Sequence, residues 1–230
     1  MNISKELLFG KTESHLAPLS GTHLRLHKEV IKPFTHLQKK AKTAGFQLEI
    51  ASGFRSFESQ LNIWNKKAAG TRPLLDANGK PLKFESLSPK EIMFSILRWS
   101  ALPGTSRHHW GTDFDVYDAG SIPAGYQLQL VPSEVEAGGM FSKLHDWLDK
   151  EMGAFGFFRP FSKDRGGVSP ERWHLSYAPL STKFLNAFDL PTFELLLAET
   201  AIALIDVVRM EKNTVYARYL QNVEPTLLLA

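Results

Sequence analysis

The segment from Ser106 to Val116, SRHHWGTDFDV, sets two adjacent histidines, a glycine and two aspartates against a short apolar alternation, in a chain without cysteine. With no thiolate available, any metal has to be held by imidazole and carboxylate groups. Along TDFDV, strand alternation puts Phe114 and Val116 on one face and Asp113 and Asp115 on the other. His108 lies across a turn that Gly111 permits, so it can meet Asp115 without sharing a helix with it. In PERWHLSY, Trp173, Leu175 and Tyr177 share the apolar face, which leaves His174 and Ser176 on the other. Glu171, just after Pro170 at the start of that strand, can reach a metal-bound water without ligating the metal. His108, Asp115 and His174 with a vacant fourth position form the donor set of a catalytic zinc. Such an ion lowers the pKa of its water from about 15.7 towards about 7 and polarises a carbonyl. The chemistry this favours is amide hydrolysis, with Glu171 taking the proton.

These groups need strands and turns to bring them together, and the surrounding pattern supplies them. FQLEI at 46–50 alternates as a half-buried strand, and strands are also expected at 112–118 and 172–178. Val30, Phe34, Leu37, Ala41 and Ala44 recur at helical steps, predicting a helix that ends near Gly45 and that Pro33 either opens or kinks. A second helix is capped by Ser56, turns Leu61, Trp64 and Ala68 inward, and stops at Gly70. Residues 70–105 hold a turn at DANGKPL and a helix opened by Ser88, Pro89 and Glu91, an excursion able to form a wall or lid. Another helix carries Phe141, Leu144, Leu148 and Met152 on one stripe. From Pro191 to Val223 the pattern predicts two helices broken near Asn213, with residues 195–208 as a buried helical stretch. The expected fold is α+β, one domain spanning 1–230, with a central antiparallel sheet flanked by helices, a motif-bearing core at about 23–180 and a helical C-terminal segment at 181–230.

A balance of 27 basic against 24 acidic residues gives a net charge of +3, which argues against a nucleic-acid partner. The most apolar stretch is broken by Glu199 and Asp206 and falls short of the roughly 20 residues of a membrane span. The opening MNISKELLFGKTESH has too short an apolar run for a signal-peptide core, so a cytoplasmic location is expected.

Ser106, His108, Gly111 and Asp115 match S-x-H-x-x-G-x-x-x-D, and Glu171, Trp173 and His174 match E-x-W-H. SGFRSFESQ, with Arg55 and Gln60, is similar to S-G-Y-R-S-x-x-x-Q. Together they resemble the VanY-type branch of peptidase family M15, the zinc D-alanyl-D-alanine carboxypeptidases. That branch lies in the LAS fold group with lysostaphin-type endopeptidases and the hedgehog signalling domain. The resemblance covers roughly residues 46–178, and three motifs in order are more specific than any one of them. It implies Zn2+ held by His108, Asp115 and His174, Glu171 as catalytic base, and Arg55 with Ser106 holding the substrate carboxylate or the developing oxyanion. It also implies a substrate among peptidoglycan stem peptides or their precursors, with L,D-carboxypeptidase and endopeptidase specificities, or a non-catalytic zinc-stabilised module, as alternatives on the same site. Oligomeric state is not encoded in these motifs.

Several residues carry competing readings. Asp113 stands where the family commonly has alanine, and it can orient a ligand, repel an anionic group or bind a second cation weakly. His109 is expected to point away from the metal, exposed or in a supporting position. Arg55 could pair with a surface acid, but its place between strand and helix favours a site role, and Gln60 could serve equally as a substrate contact or a structural hydrogen-bonder. Ser106 could simply cap a turn. His15, His23, His27, His36 and His145 lack a motif and are expected to be solvated or locally hydrogen-bonded.

Overall fold

The computed structural model describes residues 3–77 and 79–224. Asn78 of the predicted DANGKPL turn and residues 225–230 of the predicted C-terminal segment lie outside the described residues. The chain runs α1 (Lys5–Leu8), β1 (Leu16–Pro18), β2 (Arg25–His27), α2 (Lys28–Thr43), β3 (Leu48–Ser52), α3 (Phe57–Ala68) and α4 (Pro89–Trp99). It continues through β4 (Asp113–Asp118), α5 (Pro132–Val135), α6 (Ser142–Glu151), β5 (Phe157–Phe158), β6 (His174–Tyr177) and α7 (Ala178–Ala187). The last elements are α8 (Leu190–Glu199), α9 (Ile205–Met210), α10 (Lys212–Val215) and a π-helical turn at Tyr216–Leu220.

The central sheet is antiparallel, in the order β3-β4-β6-β5, with β1 and β2 forming a separate hairpin. The predicted alternation holds on both inner strands: Phe114, Val116 and Leu175 are fully buried in the main core, where the Phe114 ring meets Phe34 of α2 edge-on. Trp173 instead joins a smaller cluster with Val135 and Phe141. Helix starts follow side-chain chemistry. Ser56 accepts from the Ser59 amide to cap α3, and Ser88 with Glu91 forms a reciprocal capping box on α4. Pro33 lies inside α2 without ending it, and the helix is opened by His27, whose Nδ1 accepts from the Glu29 amide. The 70–105 excursion is packed down at its tip, where Trp99 Nε1 donates to the Asp76 carbonyl at 3.0 Å.

The C-terminal pattern differs from expectation. The stretch 195–208 is not one helix, and the principal break falls at 200–204 rather than near Asn213. Helix α3 causes this: Trp64 Nε1 donates to the Ala203 carbonyl at 2.8 Å, and Asn65 Oδ1 accepts from the Ala203 amide at 3.2 Å. Both backbone polar groups of Ala203 are thereby taken by tertiary partners, and Leu204 adopts a left-handed conformation before α9 begins. No helix among the described residues is long and apolar enough to cross a membrane.

Candidate metal centre

Sheet register brings the first two candidates together. Asp115 of β4 pairs directly with His174 of β6, and Asp113 pairs with Ser176, so all four side chains stand on the face opposite Phe114 and Leu175. A β-bulge at Ala51 in β3 sets Ser52 opposite Asp115 on the other side. His108 arrives from outside the sheet, on a single 3-10 turn at Arg107–Trp110 that ends with Gly111 at φ 66°. Any side chain at Gly111 would lie 2.6 Å from a Leu16 methyl and 2.7 Å from the His27 nitrogen, where the β1–β2 hairpin closes over the turn. One ligand atom each from His108, Asp115 and His174 lies within 4.8 Å of the others, all three residues being buried.

Hydrogen bonding decides which ring nitrogens face the centre. His108 Nδ1 donates to the Gly53 carbonyl at 2.9 Å, which leaves Nε2 as the lone pair turned to Asp115 Oδ2, 3.6 Å away. His174 Nε2 donates to Asp113 Oδ1 at 3.1 Å, and Nδ1 is turned inward, 3.2 Å from Asp115 Oδ1 and 3.7 Å from Glu171 Oε2. Asp115 Oδ1 is buried with no hydrogen-bond partner beyond the His174 ring itself. A buried carboxylate whose two oxygens each face one imidazole nitrogen is an arrangement a divalent ion would satisfy, and the nitrogen and oxygen donors suit zinc. Burial lowers the His108 imidazole to about 4, so the ring is neutral, the form in which an imidazole can ligate a metal. His174 behaves oppositely: burial alone would lower it, but hydrogen bonds and charge from Asp113 and Asp115 lift it to about 9. In the metal-free chain it therefore carries a proton that an incoming cation must displace.

Asp113, whose role the sequence left open, is the ring's anchor. Arg107 Nε donates to Asp113 Oδ1 at 2.7 Å, Thr112 Oγ1 donates to Asp113 Oδ2 at 2.6 Å, and Arg107 Nη2 donates to Ser176 Oγ at 2.7 Å. Burial works to raise the Asp113 carboxyl, but Arg107 foremost, then His174 and Thr112, hold it well below the usual carboxylate range. The His174–Asp113–Arg107 chain is a supporting layer of the type that fixes ligand tautomer and basicity at metal sites. Arg107 carried no expectation, and its place directly between the motif serine Ser106 and His108 was the only signal available.

The remaining candidates divide by exposure. Glu171 ends the loop before β6, its amide donating to the Phe161 carbonyl at 2.9 Å, and burial pushes its carboxyl up to about 7. Arg55 is half-buried: its amide donates to the His108 carbonyl at 3.2 Å, and Nη1 and Nη2 donate to Gln60 and Ser52 at 2.9 and 3.2 Å. Gln60 is completely buried, with its Oε1 accepting from Arg55 and its Nε2 donating to the Ala101 carbonyl at 2.7 Å. Ser106 is 3% exposed and makes no capping bond from its side chain to the turn it precedes. His109 is not exposed. Its Nδ1 donates to the Arg55 carbonyl at 2.6 Å and its Nε2 accepts from the Gly104 amide at 3.1 Å, pinning the Arg55 loop to the His108 turn. His15, His27 and His145 are also buried rather than solvated, with His145 Nδ1 hydrogen-bonded to Arg159 Nη2 at 3.1 Å. His23 and His36 are exposed as expected.

A family model described as VanY, D-alanyl-D-alanine carboxypeptidase, matches residues 23–180. An uncharacterized protein of Haemophilus influenzae is 41% identical over 105 residues, 44% of this chain and 72% of that protein. A D-alanyl-D-alanine carboxypeptidase of Enterococcus faecalis is 27% identical over 140 residues, which cover 60% of this chain but 42% of that enzyme. The solved structure of VanYB in complex with D-alanine-D-alanine has a TM-score of 0.53 at 24% identity, covering 80% of this chain and 89% of that one. A mutant of the VanY D,D-pentapeptidase from a VanB-type resistance cassette, solved in complex with Zn(II), has a TM-score of 0.50 at 24% identity, covering 75% and 85% of the two chains. At these identities the two structures show a shared fold.

Proposed function

The chain belongs to the VanY family of D-alanyl-D-alanine carboxypeptidases, and on that premise we propose that it is a zinc-dependent carboxypeptidase removing the terminal D-alanine from peptidoglycan stem peptides or their precursors. The observation that carries this reading is the convergence of His108, Asp115 and His174 within 4.8 Å, with Glu171 Oε2 3.7 Å from the inward nitrogen of His174. Those three residues would hold the ion, which when bound supplies a Lewis acid for the scissile carbonyl and acidifies water. Glu171 accepts the proton of the attacking water and returns it to the leaving amine. Its position 3.7 Å from the inward nitrogen of His174 suits it to both transfers. Arg55 stabilises the developing oxyanion or grips the terminal carboxylate, its planar fork fixed by Gln60 and Ser52. Asp113 and Arg107 keep His174 turned inward and charge-balanced.

The test is mass spectrometry of a peptide ending in D-Ala-D-Ala after incubation with the zinc-loaded protein. Loss of one alanine is expected, and amidation of the peptide's C-terminus should abolish it. Cleavage that survives amidation points to an endopeptidase, and an intact peptide under all conditions overturns the reading.

A further inference from the structure

The loop that delivers Glu171 is held from outside by a part of the chain beyond the family-matched residues. Its ends are tied together where Glu171 donates to the Phe161 carbonyl, and both ends face the candidate centre: Glu171 through its carboxylate, Phe161 through a ring whose centroid lies 5.2 Å from that of His174. Between them the loop forms no helix or strand and includes Gly166 and Gly167. On one side Arg98 of α4 clamps Asp164 with bonds of 3.0 and 2.6 Å and donates to the Gly167 carbonyl at 2.9 Å.

The other side is covered by residues 218–224. Arg218 Nε and Nη2 both donate to the Gly166 carbonyl, the former at 2.9 Å. Asn222 exchanges two bonds with Arg165, donating to its carbonyl at 2.9 Å and accepting from its Nε at 2.9 Å. The Glu224 amide donates to the Pro160 carbonyl at 2.9 Å. A Cβ on Gly167 would overlap the Arg218 carbonyl oxygen, so glycine is required for this close approach. Most of these contacts read loop backbone rather than loop side chains, which is how one segment fixes the path of another.

We propose that the C-terminal segment braces the Phe161–Glu171 loop, making Arg218 and Asn222 positioning residues for the proton transfer at Glu171. The proposal rests on the reading of Glu171 as proton carrier, and its physical basis is distance. Proton transfer requires heavy atoms within about 2.6–3.2 Å, and a displacement of about 1 Å costs on the order of a hundredfold in rate.

The experiment compares the full chain with an Arg218→Ala/Asn222→Ala double variant, using zinc itself as the probe of the metal centre. Expected are faster hydrogen exchange of amides in the Phe161–Glu171 loop, unchanged zinc affinity in chelator competition, and a kcat reduced by about tenfold or more with KM held. In a Glu171→Gln background the double variant should cause no further loss of kcat. Should the double variant not fold, Gly167→Ala tests the same contact from the loop side and should give the same exchange pattern. Unaltered exchange in the loop, or a loss of zinc that matches the loss of activity, overturns the brace. If Glu171→Gln itself keeps normal turnover while loop exchange still rises in the double variant, the catalytic reading of Glu171 fails and the mechanical contact stands.

Discussion

The two halves of the candidate site are built by different means. The half formed by His108, Asp115 and His174 rests on the sheet: two of the candidate ligands are direct cross-strand neighbours, and the third comes from a turn closed beneath the β1–β2 hairpin. The half formed by Glu171 and Arg55 rests on loops whose geometry is imposed by side chains elsewhere, Gln60 and His109 for Arg55 and the Arg98 and Arg218 contacts for Glu171. A register-built site is as rigid as the core behind it, whereas a loop-built site is as rigid as its outermost hydrogen bonds. Damage to the first half should therefore appear as lost metal, and damage to the second as lost turnover with metal retained.

The strongest test of that division is His174→Ala, which leaves two protein ligands: zinc stoichiometry by elemental analysis should fall well below one and hydrolysis should cease. Glu171→Gln lies on the other side, and there zinc content should stay at the wild-type level while kcat falls by about 10²- to 10⁴-fold. A variant that lost both together would erase the distinction between the halves. Asp113→Asn sharpens the first half, because it weakens the acceptor that fixes His174. Zinc affinity in a chelator competition should drop by about 10- to 100-fold with the fold intact.

The raised His174 pKa sets the sign of a pH effect. Its proton is bound below about 9 in the metal-free chain and must leave on metal binding, so zinc binding should release a proton and tighten as pH rises between about 6 and 8. Calorimetry in buffers of different ionisation enthalpy reads this directly, and pH-independent binding would place the proton elsewhere. The smallest expected effect is that of Ser56→Ala, which removes the α3 cap and should cost about 1 kcal/mol in denaturant unfolding while leaving zinc affinity unchanged.

Period-two alternation was enough to put Asp113, Asp115, His174 and Ser176 on the faces they occupy, because a strand with one buried side admits only one phase. Ser56 and Ser88 likewise marked helix starts, since the groups they satisfy lie within one turn of them. The strand limits moved by a residue or two, from 46–50 to Leu48–Ser52 and from 172–178 to His174–Tyr177. Partners distant in the chain were illegible. Nothing local to Ala203 announces that Trp64 and Asn65 will take its peptide groups and end the predicted helix early. Nothing local to His109 announces that it will be buried between Arg55 and Gly104.

Residue types and spacing alone determined the faces on which Asp113, Asp115 and His174 stand and marked a candidate donor set with an acid near it in the sequence, because these follow from chemistry and from the short-range geometry of strands and turns. Only the tertiary structure decided that Asp113 holds His174 by its outer nitrogen, that Gln60 serves Arg55, and that residues 218–224 lie against the Glu171 loop. Each of those outcomes joins groups far apart in the chain, and a hydrogen bond between distant segments is fixed by how the core packs rather than by the residues on either side of it.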